Sequence, residues 1–132
     1  MRIQFPLMLL KNNIPYQWAI DEGYDKIVVV RTRDTSYRKK PSSRPVCQLY
    51  RRYFKDYPQF AEAGILRPEV YNQQVAQIEH LRRTGQIFNI APQHPVKVGR
   101  VESNVKKIRK LYETGQQEAR QLLPSLIDYL NA

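Results

Sequence analysis

The chain has 132 residues, a single cysteine and a formal net charge of +10, from 22 Lys and Arg against 12 Asp and Glu. That length holds one domain burying roughly two-thirds of its unfolded surface, and the lone Cys47 excludes an internal disulfide and fits a reducing compartment. A hydrophobic content of 42% is too high and too periodic for a disordered chain, while the charge points to nucleic acid, anionic lipid or an acidic counterpart elsewhere.

Residues 1–11 read as an atypical apolar N-terminal segment. Their run Phe5-Pro6-Leu7-Met8-Leu9-Leu10 falls far short of the ~20 residues a membrane span needs. One Arg2 ahead of it, with no small-x-small site after it, makes a poor signal peptide, so a cytoplasmic location is the expectation. Asn13 is placed to cap a helix of about Tyr16 to Glu22, with Pro15 near its first turn and Gly23 just past its end. Lys26-Ile27-Val28-Val29-Val30-Arg31 then predicts a strand covered on both faces, as in the middle of a parallel sheet. From Thr32 to Pro45 the composition turns to Arg, Lys, Ser, Thr and Pro, the signature of a polar loop.

Beyond Pro45 the pattern is helical. Leu49, Tyr53 and Phe54 form a first apolar stripe, and Tyr71, Val75, Ile78, Leu81 and Arg82 a second that ends at Gly85. Gln86-Ile87-Phe88-Asn89-Ile90 is the only other convincing strand, so the sheet implied by the first strand is mostly missing. Ser103 is expected to cap a helix carrying Val105, Ile108, Leu111 and Tyr112 that stops at Gly115. A last helix shows Ala119, Leu122, Leu123, Leu126, Ile127 and Leu130, with Pro124 expected to kink or restart it.

Residues able to do chemistry are sparse. None of Ser36, Ser42, Ser43, Ser103 and Ser125 stands between glycines, as a nucleophile elbow requires. Cys47 at a helix start reads as a structural thiol. His80 falls off its helix's apolar stripe and His94 sits in a loop, so no zinc-ligand spacing exists and no metal or other cofactor is expected. The five glycines are isolated and form no phosphate-cradling loop. What remains is basic: Arg31, Arg33, Arg38, Lys39, Lys40 and Arg44 around Tyr37, and a second group of Arg100, Lys106, Lys107, Arg109 and Lys110.

In order and spacing, Ile14-Pro15, Ala19-Ile20, Glu22-Gly23-Tyr24-Asp25-Lys26, Ile27-Val28-Val29-Val30, Thr32-Arg33 and Tyr37-Arg38-Lys39-Lys40 resemble bacterial patatin-like phospholipases. Tyr57-Pro58, Tyr71-Asn72, Ile90-Ala91-Pro92, Val98-Gly99-Arg100-Val101-Glu102, Leu111-Tyr112 and Gly115 resemble the helical region that follows the patatin core in one bacterial branch. The resemblance runs from about Asn12 to Leu130. It implies a serine acyl hydrolase with an α/β/α core and a Ser-Asp dyad, the serine in Gly-x-Ser-x-Gly and the aspartate in Asp-Gly-Gly or Asp-Gly-Ala. About seven residues ahead of Ile14-Pro15, where that aspartate belongs, this chain has Leu7-Met8-Leu9, and no Asp in it is followed by Gly. The match breaks off abruptly near Lys11, as in a gene shortened just past the aspartate motif.

The fold class expected on this basis is an α/β remnant followed by a mostly α-helical domain with one short strand. The remnant is one helix and one buried parallel-type strand of a patatin α/β/α core. Its organisation is an atypical segment at 1–11, a core remnant at 12–35, a basic linker at 36–45 and a helical C-terminal domain at 46–132. Without nucleophile or catalytic aspartate the isolated chain is expected to be inactive as a hydrolase, with no catalytic residues. Arg38, Lys39, Lys40 and Arg44 are the expected contacts with anionic phospholipid at a membrane surface. A separately encoded patatin core is a further expected partner, since the orphan strand would dock on it. The alternative is a small basic nucleic-acid-binding or interaction module, and nucleic acid is the weaker of these expectations because no recognition motif accompanies the charge.

Overall fold

The computed structural model describes residues 13–99 and 101–132; residues 1–12, with the apolar run, and Arg100 lie outside the described residues. The protein is mostly helical, with two short parallel strands. It divides into two units, one of residues 13–22 and 38–78 and one of 23–37 and 79–132.

The first unit is built around a long helix. Its elements are α1 (Tyr16–Asp21), α2 (Arg44–Tyr53) and the larger part of α3 (Pro58–Arg83), which continues into the second unit. Asn13 does not cap α1; Pro15 occupies that position without a side-chain bond. Asn13 is instead held by α3. The Asn13 and Ile14 amides donate to Gln74 Oε1 at 3.1 and 3.2 Å, and Asn13 Oδ1 accepts from Arg67 Nε at 2.7 Å. The side-chain oxygen that would cap the helix is taken instead by a tertiary donor, Arg67 Nε. Gly23, at φ +79°, follows α1 as expected of a helix-ending glycine.

The start of α3 lies well ahead of the stripe that marks it in the sequence, and the helix reads through Gly64 and Pro68. Pro68 has no N–H to donate to the Gly64 carbonyl, so one rung of the ladder is missing. Gly64 sits against the Tyr50 ring, close enough that a Cβ there would collide. Ala61, Ile65, Tyr71, Val75 and Ile78 are buried along α3, Ile78 completely, whereas Arg82, placed on the same stripe by sequence, is exposed and bonds Glu79. Burial of Tyr16 pushes its phenol above the ordinary value.

The second unit pairs β1 (Ile27–Val30) with β2 (Ile87–Ile90) in parallel, Ile27 opposite Ile87 and Val30 opposite Ile90. The Arg31 amide extends the ladder by donating to the Ile90 carbonyl at 2.7 Å. Gly85, at φ +75°, ends α3 in a Schellman motif: its amide bonds the Arg82 carbonyl and the Gln86 amide the Leu81 carbonyl. The chain thus turns straight from helix into β2.

The strand β1 is covered on one face only, not on both. Ile27 and Val29 are buried, while Val28 is 38% and Val30 70% exposed. A parallel strand normally has layers above and below it. Among the described residues this sheet has two strands, and the Tyr129 ring lies 5.6 Å from that of Phe88 in β2.

That tyrosine belongs to α4 (Val105–Asn131), a single helix where the sequence suggested two. Gly115 lies inside it with no positive φ, so it lacks the left-handed conformation that would end a helix, and mid-helix glycine costs only about 1 kcal/mol. Pro124 also lies within the helix. The cap is Asn104, not Ser103: Asn104 Oδ1 accepts from the Lys106 and Lys107 amides at 3.1 and 3.3 Å.

Candidate functional site

The basic residues singled out in the sequence lie at the entry to α2, in the first unit. Their loop is fixed by reciprocal bonds at Lys39, whose amide donates to Asn72 Oδ1 and whose carbonyl accepts from Asn72 Nδ2, both at 2.9 Å. This pairing mimics a strand bridge and needs no strand. Ser42 Oγ donates to the Ile65 carbonyl at 2.7 Å, a second tie to α3.

The four cations are not equivalent. Lys39 is half-buried, with its ammonium 4.3 Å from the centre of the Tyr71 ring, so part of its charge is spent inside the protein. Arg38, Lys40 and Arg44 are exposed. Arg44 and Pro45 form the first turn of α2, where the ring's fixed φ suits a helix start.

Beyond them α2 presents an apolar face to solvent. Val46, Leu49 and Tyr53, spaced i, i+3 and i+7, are 40%, 53% and 75% exposed. The stripe of Leu49, Tyr53 and Phe54 therefore splits. Phe54 packs on Phe60 at 4.6 Å and on Tyr50 at 5.9 Å, and Leu49 and Tyr53 face outward. Leu49, Tyr50, Tyr53, Phe54 and Phe60 line an open cleft of about 460 Å³. Arg51, paired with Glu62 at 2.9 Å, and Arg52 stand on the exposed polar surface of the same helix. Periodicity showed the stripe but not which way it faces; the usable signal was the Arg44, Arg51 and Arg52 set on so short and polar a helix.

The second basic group lies on α4, in the other unit. Lys106, Lys107, Arg109 and Lys110 are exposed, and Lys107 reaches Glu102 at 3.5 Å.

Among the nucleophilic residue types, Ser36, Ser42 and Cys47 have partners within their own loops or the neighbouring helix. Ser36 donates through both its amide and hydroxyl to Asp34 Oδ1, a turn closed within three residues that pulls the Asp34 carboxyl below the usual carboxylate range. Cys47 Sγ lies 3.6 Å from the Ser42 carbonyl. His80 and His94 are exposed. Among the described residues no three His, Cys, Asp or Glu side chains gather as a metal site. Nor is any helix among them long and apolar enough to cross a membrane.

Inside the second unit Arg31 and Asp34 are buried, with Arg31 Nη2 donating to the Asp34 carbonyl at 3.1 Å. Glu79 is held below its usual range, chiefly by the hydrogen bonds from Arg82, with a smaller contribution from the charge of Arg31.

Helices with two short parallel strands define an α-dominant protein. Residues 57–131, more than half of the chain, match the family described as a domain of unknown function, DUF6363, and the chain belongs to that family. The matched stretch holds the whole of α3, β2 and α4, while β1, to which β2 pairs, precedes it. No curated protein matches the chain, and no solved structure does.

Proposed function

We propose that this chain is the non-catalytic C-terminal part of a patatin-like serine acyl-ester hydrolase, and that it holds to anionic phospholipid surfaces. The observation that carries the reading is the parallel pairing of β2, inside the family region, with β1 outside it. Parallel strands belong to layered α/β cores, and the exposed Val28 and Val30 are the face such a core would cover. The sequence resemblance supports the same assignment.

The membrane role draws on α2 and its entry loop. Arg38, Lys40 and Arg44 supply charge, Lys39 anchors the loop on Tyr71, and Val46, Leu49 and Tyr53 supply an apolar face. A short helix with one basic and one aromatic-aliphatic face lies in the interfacial plane of a bilayer, and each basic residue near an anionic surface adds about 1 kcal/mol.

Co-sedimentation with vesicles tests this. Phosphatidylcholine vesicles containing 30 mol% phosphatidylglycerol should bind the chain, and pure phosphatidylcholine should bind it far less. The triple variant Arg38→Glu/Lys40→Glu/Arg44→Glu should lose the difference. Equal binding to both vesicle types removes the membrane role. The folded chain alone should not hydrolyse p-nitrophenyl butyrate; hydrolysis abolished by one Ser→Ala change would overturn the non-catalytic assignment.

A further inference from the structure

The second unit contains a groove that neither the resemblance nor the membrane role uses. It runs between the segment 92–98 and the first half of α4, with a volume of about 460 Å³, a size typical of small-molecule sites. Its floor is apolar, formed by Pro92, Val96, Val98 and Leu111. Its shape is set by fixed bonds. Arg33 Nη1 donates to the Val96 carbonyl at 3.1 Å, and the Gln93 amide donates to Glu118 Oε2 at 3.3 Å. At Gly115 the helix has no side chain, and nothing stands within 4 Å of where a Cβ would be.

The charges around the groove are unequal. Lys97, Lys107 and Lys110 line it together with Glu118, and Glu102 takes up Lys107 from the side. Three ammonium groups and the Arg33 guanidinium behind Val96 against two carboxylates leave the groove net positive. Lys97 and Lys110 make no ion pair among the described residues. An apolar trough with a net positive rim complements a ligand with an apolar tail and an anionic head.

We propose that this groove binds a single free long-chain fatty-acid anion, its tail on Pro92, Val96, Val98 and Leu111 and its carboxylate at Lys97 and Lys110. The choice of a carboxylate head rests on the acyl-hydrolase reading, because hydrolysis of an acyl ester releases that group. The site would then hold or sense the product beside the enzyme that makes it.

Isothermal titration of the full chain with sodium dodecanoate, kept below its micelle concentration, tests this. Saturable binding at one site is expected, with acetate and dodecyltrimethylammonium at least about tenfold weaker, since one lacks the tail and the other reverses the charge. Gly115→Phe, which fills the trough from an open helix position, should abolish binding. Lys97→Ala/Lys110→Ala, at two exposed positions, should weaken it about tenfold. Circular dichroism checks that both variants keep their helix content, and the lysine pair decides if Gly115→Phe does not. Equal binding of dodecyltrimethylammonium, uptake at many sites, or titrations unchanged in a folded variant would overturn the proposal. No vesicle or ester enters this titration, so it can fail while the vesicle result stands, and the reverse.

Discussion

Removing one oxygen, Tyr129→Phe, isolates the contact that ties α4 to the strands. The Tyr129 hydroxyl accepts from the Ile27 amide at 3.0 Å and lies 3.0 Å from the Gln86 carbonyl and 3.3 Å from the Ile27 carbonyl, to one of which its proton is donated. Phenylalanine keeps the ring against Phe88 and beneath the Lys26 ammonium, 5.0 Å from the ring centre. What is lost is the partner of an amide at the start of a strand whose residue is 9% exposed. A buried donor left unmet costs about 1–3 kcal/mol. Taking about 2 kcal/mol, protection of the Ile27 amide against hydrogen exchange should fall about 30-fold. With a urea slope of about 1.5 kcal/mol/M, the unfolding midpoint should drop by more than 1 M. Tyr129→Ala should cost more, since the ring contacts go too. If Tyr129→Phe leaves both the Ile27 exchange rate and the midpoint unchanged, the hydroxyl does not hold the strands and this account of the second unit fails.

Glycine substitutions should divide by backbone conformation. Gly85→Ala forces a side chain into φ +75° and should lower stability by about 1–2 kcal/mol, whereas Gly115→Ala, mid-helix in open space, should raise it by up to about 1 kcal/mol, both read by thermal denaturation. Gly64→Ala drives a methyl into the Tyr50 ring and should destabilise by about 1–3 kcal/mol despite its better helix propensity; a gain would show that the ring moves freely. The Asp34 carboxyl, lowered first by the Ser36 hydroxyl bond, contributes stability that is fully present above the ordinary aspartate value of about 3.9 and lost as pH falls through the lowered one. An NMR titration of that carboxyl should therefore show a midpoint below about 3.9, and Asp34→Asn should flatten the acid side of the stability curve. A midpoint at or above that value would remove the turn's role.

Local signals settled much of this protein in its sequence. Gly23 and Gly85 end their helices because each needs a left-handed backbone that only glycine takes without strain, a property a sequence displays. The buried line Tyr71, Val75, Ile78 and Leu81 follows from helical period alone, and the parallel character of Ile27–Val30 from its unbroken apolar run. The basic entry to α2 is equally visible as composition. Competition between partners far apart in the chain is not written locally, and there the tertiary structure decides. Asn13 gives up its cap because Gln74 and Arg67 are brought to it, and Lys39 becomes an anchor because Tyr71 lies beneath it. Gly115 and Pro124 stay inside α4, although both read as breaks. Which face of an amphipathic segment is covered depends on what packs there: Leu49 and Tyr53 look like core by period and stand in solvent, and Val30 looks like the middle of a sheet and lies open. Period fixes the direction of each side chain about its own axis; only the packed neighbours fix whether that direction leads to protein or to water.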